Sequence, residues 1–439
     1  MQLKSLLIEQ FRGFQEAVEI PFHEQFTLIA GENGLGKSSI LWALRVLLSH
    51  TLSDATRERV AKLRFSTEDV AIDWPFLRAE TVVHTIPERA AAICSAQVHK
   101  AGFVVSDADD GRPHKDVVDT PDSYRLRLEA VGPPHNKPKP EPPWSAVFYS
   151  AHRSLARDLG VSKARSVGGT AAAHAEALDD RELRLGEQAA LWRKEAVLEE
   201  TDGLPAYANQ AIEKVLPTFL GDFSNLRVEE LNGKHRLVVD KRGKRLELEQ
   251  LSDGERGLLT ILMDLTRRLS QRNPDLKNPA RDAHAVVLID ELDLHLHPKW
   301  QRSVVSNLKA AFPKVQFVAT THSPQILGEI SGDQILLLQR DAAPIHAGQT
   351  FGMDSNWILR HIMDADDRNP EVTAKLEAIL AAIRNGTLTK AGKLVSELRS
   401  MIGETPDIAA AEAKIARAEI LISGQKPKKK ATRKKRRGS

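Results

Sequence analysis

A single cysteine, Cys94, stands in 439 residues. One thiol can neither close an intramolecular disulfide nor build a cysteine-based zinc cluster. Its plain reading is a small buried apolar side chain. Aromatic residues make up only 5% of the chain. No run of 18 or more apolar residues occurs, so no membrane-spanning helix is expected. The opening stretch "MQLKSLLIEQFRGF" lacks a signal-peptide layout because Glu9 and Arg12 interrupt its apolar run. A reducing, cytoplasmic location with no membrane partner follows as an expectation. Fixed-period repeats are missing too, as is any heptad run long enough for an extended coiled coil.

What is present is ordinary core material. With 41% hydrophobic and 28% charged residues, the length suits about three domain-sized units. The net charge of +3 hides an asymmetry. "KPKKKATRKKRR", Lys426 to Arg437, holds nine cations and no acid, and removing those nine from +3 leaves −6 for the rest. Such a run is solvated by default. It would also hold phosphate backbones without sequence preference and release them steeply with salt. No aromatic residue interleaves it, so base-specific reading is not expected.

Residues 1–50 read as two edge strands, "KSLLIEQFRGF" and "EAVEIPF". A buried strand, "QFTLIA", and a helix, "SSILWALRVLLS", follow. Residues 51–150 mix strand candidates such as "ETVVHT" and "YRLRLEAV" with the proline-rich "GPPHNKPKPEPPW", which excludes helix and central strand. "SAVFYSAHR" is strand-like. Residues 155–220 have helical spacing. "LRVEEL", "RLVVDKRGK" and "RLELEQL" alternate like a meander, turning at Asn232–Gly233 and Arg242–Gly243. Helix "ERGLLTILMDLTRRLSQ", strand "AVVLID", helix "PKWQRSVVSNLKAAF" and strands "VQFVATTHS" and "QILLLQ" follow. Residues 370–422 read as two or three amphipathic helices, broken at Asn385–Gly386 and Gly403. Continuous apolar strands alternating with helices imply an α/β fold around a largely parallel sheet.

The chemistry sits in four places. Gly31, Glu32, Asn33, Gly34, Leu35, Gly36, Lys37 and Ser38 fit G-x-x-x-x-G-K-[ST], with a strand before and a helix after. Backbone N–H groups of such a loop curl around phosphate oxygens. The helix N-terminus adds its dipole, Lys37 adds a point charge, and Ser38 offers a hydroxyl to Mg²⁺. "AVVLIDE" is an apolar strand ending in Asp290, suited to the Mg²⁺ shell, and Glu291, suited to polarising an attacking water. "LSDGE", 251–255, opens a helix with Ser252 and Gly254, and alone would be an ordinary N-cap. "ATTHS", 319–323, ends a strand on His322, which alone would be a satisfied strand-end residue. His295 and His297 alternate in "HLHP", but no Cys or carboxylate cluster stands at ligand spacing, so a loop is the better reading.

In that order, these four motifs resemble the ABC-type ATPases of the branch with structural-maintenance-of-chromosomes (SMC), Rad50, RecF and overcoming-lysogenization-defect (OLD) proteins. "FRGF" with "VEIPF" resembles the branch's first strand, and "DELDLHLHP" the wording of its compact members. The resemblance implies a P-loop ATPase head with a mixed β-sheet, an inserted α/β and helical lobe, and a C-terminal helical extension. The corresponding boundaries are 1–50 and 241–345 for the head, 51–240 for the insert, 346–424 for a helical partner-binding or oligomerisation region, and 425–439 for a basic tail. It further implies ATP and Mg²⁺ as cofactors and a homodimer, or a higher oligomer, closed by two ATP sandwiches. Gly31, Asn33, Gly34, Gly36, Lys37, Ser38 and Ser39 would hold nucleotide, with Arg12 flanking it. Ser38 and Asp290 would hold the metal. Lys37, Glu291 and His322 would act catalytically, Ser252 and Gly254 would reach the γ-phosphate in trans, and Asp293 would communicate across the dimer. The family's glutamine that joins the Mg²⁺ shell has no match; Ser150 or His152 of "FYSAHR" stands at its place.

About 200 residues separate the motif halves, too few for the arms of long-armed members. OLD-type nucleases add a C-terminal metal domain. Here Asp364 and Asp366 of "MDADD" precede a helix, which argues against a built-in nuclease. "TFGMDSNWILRHIMDADDRNPEV", Thr350 to Val372, resembles stand-alone anti-phage defence ATPases, the Septu PtuA and retron-associated kinds, in which a separate HNH nuclease cuts nucleic acid. A regulator of such a nuclease is the leading expectation, with a RecF- or Rad50-like repair ATPase as alternative, then an OLD-like nuclease. A transporter subunit fits least.

Overall fold

The computed structural model describes residues 2–51, 63–72, 74–84, 91–100, 123–131, 145–151, 173, 176–180, 192, 207–231, 234–340 and 342–424. The chain divides into two compact units, Met1–Ile358 and Leu359–Ser439.

The first unit is built on three sheets. Its first three strands are β1 (Gln2–Glu9), β2 (Val18–Pro21) and β3 (Phe26–Ala30), followed by α1 (Lys37–Thr51). Then come β4 (Phe76–His84), β5 (Ala91–His99), β6 (Ser123–Val131) and β7 (Ser145–Tyr149). Helix α2 (Tyr207–Phe219) leads into β8 (Phe223–Leu231), β9 (Lys234–Lys241) and β10 (Lys244–Glu247). The long α3 (Asp253–Arg272) precedes β11 (Ala285–Ile289), α4 (Val304–Ala311), β12 (Val315–Thr320), β13 (Ile335–Gln339), β14 (Ala342–His346) and α5 (Ser355–His361).

The sheets run β2-β1-β4-β5-β6, β10-β9-β8 and β14-β13-β3-β12-β11-β7. The first two are antiparallel. The third is parallel except for its last strand, β14, so the largest sheet is mixed. Its strands β3, β7, β11 and β12 are buried along their whole length, which is why they read as unbroken apolar runs. Helix α1 contacts β4 and β5 of one sheet and β7 of the other. Its Ile40, Leu44, Leu47 and Leu48, none exposed, join Leu6, Leu77, Val286 and Val318 in one cluster. Each such side chain contributes roughly 1.5–3 kcal/mol by leaving water.

The structure differs from two local readings and adds one strand. Strand β1 is not an edge; β2 and β4 flank it. Its alternation reports one buried face, and alternation cannot reveal a partner some 70 residues away. "PKWQRSVVSNLKAAF" is not one helix but Pro298–Gln301 and Val304–Ala311, tightened at the join by Ser303 N donating to Trp300 O. The short, mostly exposed β14 carried no apolar signal.

In the second unit, α6 (Pro370–Arg384), α7 (Leu388–Ile402) and α8 (Pro406–Gly424) pack together. Asn369 caps α6, accepting from Glu371 N at 2.9 Å, and Pro370 fills the first helical position, where no N–H is needed. Gly386 and Gly403 take φ of +71° and +76°, a conformation that ends a helix cheaply only with glycine. Ile379, Val395, Leu398 and Ile408 form the core. Among the described residues no helix is long and apolar enough to cross a membrane.

Candidate functional site

The parallel register brings the carboxyl ends of four strands level: Ile29 lies beside Thr320, Ala319 beside Ile289, and Ile289 beside Tyr149. In an open α/β sheet that edge is where ligands bind. The chain segments that leave it there are Gly31–Ser38 from β3, Asp290–Asp293 from β11, Thr321–Ser323 from β12 and Ser150 from β7.

The loop after β3 depends on glycine. Gly31, Gly34 and Gly36 have φ of +147°, +85° and +91°. A Cβ on Gly31 would lie 2.8 Å from the Leu338 carbonyl oxygen, and one on Gly36 2.7 Å from the Phe14 ring. The loop is therefore held as a close backbone cradle, with Glu32 and Asn33 on its exposed turn. Lys37 is buried, and its Nζ donates to the Gly31 and Glu32 carbonyls at 2.9 and 2.7 Å. Burial pulls its pKa below the ordinary lysine value, against the attraction of Asp290, Glu291 and Asp293.

Asp290 receives two hydroxyls on Oδ1, from Ser38 Oγ at 3.2 Å and Thr320 Oγ1 at 2.6 Å. Thr320 Oγ1 in turn accepts from Glu291 N at 2.7 Å. Glu291 is held with φ at +48°, an uncommon conformation for a side-chain-bearing residue, and its carbonyl accepts from Leu294 N at 3.0 Å. Asp293 Oδ1 accepts from Thr321 Oγ1 at 2.6 Å and from His322 N at 3.2 Å. Gln301 braces the same turn, donating to the Leu296 carbonyl at 3.0 Å and accepting from Ser323 Oγ at 2.8 Å. Burial, then the Lys37 charge, hold His322 below the usual histidine value despite Asp293, Glu291 and Asp290.

Arg12 closes one side. Its φ is +50°, its Nε donates to Asp69 Oδ1 at 2.9 Å, and Nη1 lies 3.5 Å from Ser39 Oγ. Its guanidinium sits 5.8 Å from the Trp42 ring centre; Arg45 lies 5.1 Å from that ring and 4.1 Å from Phe148.

Ser252 and Gly254 lie elsewhere in the chain's architecture. Ser252 caps α3: its Oγ accepts from Glu255 N, while Glu255 Oε2 accepts from Ser252 N at 3.1 Å. Lys241 holds Glu255 at 2.5 Å. Gly254 packs on the loop after β11, where a Cβ would fall 2.3 Å from the His295 carbonyl oxygen. Glycine at 254 thus has a packing reason within the chain. Ser150 is buried at the end of β7; His152 and the 425–439 tail lie outside the described residues. Asp364 and Asp366 fall in the irregular segment before α6. Among the described residues no group of three or more His, Cys, Asp or Glu could hold a metal ion.

Sequence reasoning placed Thr320 in the Thr320–Ser323 motif without giving it a role, and missed Asp69 and Gln301 as parts of the site. A hydroxyl at the buried end of β12 was the visible sign for Thr320; nothing local marked the others. It also missed a buried network beneath the site. Tyr149 Oη donates to Asp264 Oδ2 at 3.2 Å, Arg268 Nε to the same oxygen at 2.7 Å, and Arg267 to Oδ1 at 3.1 Å. Tyr149 O meanwhile accepts from Asp290 N at 2.8 Å, so the network ties α3 to the strand beside β11.

A glycine-lined loop, a lysine, a hydroxyl–carboxylate pair and a second carboxylate at the carboxyl edge of a mixed sheet define a P-loop nucleotide-binding protein. The family model described as "AAA ATPase domain" matches residues 1–106. The one described as "AAA domain, putative AbiEii toxin, Type IV TA system" matches residues 97–328, more than half of the chain, and the chain belongs to that family. Similar proteins include "Retron Ec83 probable ATPase" of Escherichia coli, 36% identical over 201 residues, 44% of this chain and 34% of that one. "Septu protein PtuA" of Bacillus mycoides is 44% identical over 96 residues, 22% of this chain and 13% of that one. The chain thus spans about a third of the first relative's length and less of the second's. Among solved structures, the "SMC head domain from Thermotoga maritima" aligns at 16% identity with a TM-score of 0.41, covering 79% of this chain and 99% of that one.

Two expected outcomes follow from this geometry. Lys37→Ala removes a charge-assisted donor worth about 1.5–3 kcal/mol, so ATP affinity by titration calorimetry should fall roughly 10- to 100-fold. Unchanged affinity would reject the loop as the phosphate site. His322 should titrate below the ordinary histidine value in an NMR pH series. Between that value and the ordinary one, the unfolded chain binds more protons than the folded chain. This group therefore makes stability decline as pH falls through that window, and a normal or raised pKa would contradict the burial described.

Proposed function

We propose that this chain binds and hydrolyses Mg²⁺-ATP and uses the nucleotide to close a head-to-tail homodimer that controls a separately encoded nuclease in anti-phage defence. The reading is carried by one observation: Ser38, Asp290, Thr320 and Glu291 form a continuous hydrogen-bonded chain beside the Gly31–Lys37 cradle. A close-packed glycine backbone suits phosphate oxygens, and paired hard oxygen donors from Ser38 and Asp290 suit Mg²⁺. The residues fit the cofactors. Bound Mg²⁺ would supply neutralisation of phosphate charge.

The chain's own residues divide the remaining work. Gly31, Asn33, Gly34, Gly36 and Ser39 enclose phosphates by backbone and hydroxyl, and Lys37 offsets their charge. Arg12, steered by Asp69, flanks the nucleotide. Glu291 orients and deprotonates the attacking water, and a largely neutral His322 accepts or donates a hydrogen bond at the γ-phosphate side. Ser252 and Gly254 complete a partner's site in trans, and Asp293 reports that closure to the next site. The packing of Gly254 on His295 joins the α3 N-terminus to the loop that carries Asp293 within one chain, which supports the Asp293 coupling; the trans contact comes from the motif resemblance. The retron and Septu names of the relatives support a kinship with those ATPases, and the separate nuclease is taken from the resemblance of Thr350–Val372 to defence ATPases. The basic tail would add sequence-independent nucleic-acid contact.

The deciding experiment is a nuclease assay on the purified chain, with and without the product of the adjacent gene. Cutting only by the pair supports the proposal. Cutting by the chain alone overturns it in favour of an intrinsic nuclease, and no cutting at all favours a repair ATPase.

A further inference from the structure

The second unit carries a surface feature that its own fold does not use. Leu380 and Ile383 of α6 and Ala418 and Leu421 of α8 line an open groove of about 430 Å³. Leu380 is 38% exposed and Leu421 59%, with Ile420 beside it at 69%. The buried core of the unit is Ile379, Val395, Leu398 and Ile408, and of the groove residues only Ile383 packs partly buried against it. The groove is therefore surplus apolar surface rather than an incompletely filled interior. Its rim is one sign of charge: Arg384 on α6, and Lys414 and Arg417 on α8. Each is exposed, and among the described residues none forms an ion pair. Of the other cations in this unit, Lys375 of α6 pairs with Glu397, Arg399 of α7 with Glu412, and Arg368, just before α6, with Asp407. Three cations without an ion pair among the described residues thus border the apolar floor.

We infer that this groove docks an acidic amphipathic helix of a partner protein, its apolar ridge seated against Leu380, Ile383 and Leu421 and its carboxylates meeting Arg384, Lys414 and Arg417. The α8 wall from Lys414 to Leu421 spans about two helical turns, the length over which an i, i+3, i+7 ridge presents its anchors. Charge decides among occupants. The chain's own Lys426–Arg437 tail has the sign of the rim and is repelled by it. Nucleic acid matches the rim but has no side chains for the apolar floor. An acidic amphipathic helix satisfies both. The inference rests on the reading of this chain as a regulator of a separate nuclease, and it names the chemistry of the partner's contact.

The test is a selection of displayed helical peptides of random sequence on the full-length chain in about 0.15 M salt, where the Debye length is about 8 Å. An Arg384→Glu/Arg417→Glu variant serves as counter-target. Its ATP affinity and circular dichroism are expected to match the parent's, because neither residue belongs to the nucleotide-binding motifs and both side chains are exposed. Enriched peptides should carry apolar residues at i, i+3 or i+4, and i+7 with Glu or Asp alongside. They should lose at least tenfold in affinity on the variant and on Leu421→Asp. A scrambled peptide of equal charge measures attraction to the basic tail and should bind equally to all forms. The inference fails if enriched peptides are not acidic and amphipathic, or if they bind the variants as well as the parent. It fails equally if a 20-base-pair duplex loses affinity on the double variant while peptides do not, or if the variants change self-association instead. The peptide selection reads the groove without any nuclease, and the paired nuclease assay reads the regulator role without the groove, so failure of one is distinguishable from failure of the other.

Discussion

Glu291→Gln should lower the ATP turnover rate by about 10²- to 10⁴-fold, the usual range for removing a positioned general base, while leaving ATP affinity nearly unchanged. The substitution keeps the size of the side chain and removes its charge and basicity. The residue's setting explains why so little else should change. Its left-handed backbone is held by its own N–H on Thr320 Oγ1 and by its carbonyl under Leu294 N, and neither bond involves the carboxylate. The Ser38–Asp290 hydrogen bond is likewise untouched. With hydrolysis slowed and binding intact, the closed dimer should accumulate on ATP addition, which size-exclusion chromatography with light scattering can read. Wild-type turnover in the variant would remove Glu291 from its catalytic role. Slow turnover without ATP-dependent dimerisation would keep that role and reject the nucleotide-closed dimer.

The second large effect concerns stability. Asp264→Ala should destabilise the first unit by about 3–5 kcal/mol, the range for removing one partner of a buried ion pair. Asp264 is fully buried, Arg268 is 1% exposed, and both Arg268 and Arg267 donate to the one carboxylate. Removing it places two guanidinium groups together in a low-dielectric site. Urea unfolding should show a lower midpoint with an unchanged slope. Replacing Asp264→Leu together with Arg268→Met should recover part of the loss, because it removes the more deeply buried charge while Arg267 keeps its bond to Gln271. A change below about 1 kcal/mol in the single variant would mean that water or another carboxylate reaches the site. Tyr149→Phe is the gentler probe. It removes one hydroxyl, so a small stability change with altered turnover would show that the network also positions the Asp290 strand.

The sequence by itself carried the motifs and most of the elements. Gly31–Ser38, Asp290–Glu291 and His322 are legible because the proposed phosphate, metal and water chemistry would demand particular side chains at fixed spacings along one local segment. The buried strands β3, β11 and β12 are legible because burial on both faces leaves a continuous apolar run, and the breaks at Gly386 and Gly403 because a positive φ favours glycine. The mixed α/β fold and membership of an AAA ATPase family follow from the same segments. The tertiary structure alone decided which distant segments meet. The Thr320 bridge between Asp290 and Glu291, the Asp69 partner of Arg12, the interior position of β1 and the packing of Gly254 on His295 each join residues from separate stretches of chain. The Tyr149–Asp264–Arg268 network and the one-signed rim of the α6–α8 groove are of the same kind. Spacing along a chain records what one helix or strand presents; hydrogen bonds and fields act through space, and only the folded register sets those distances.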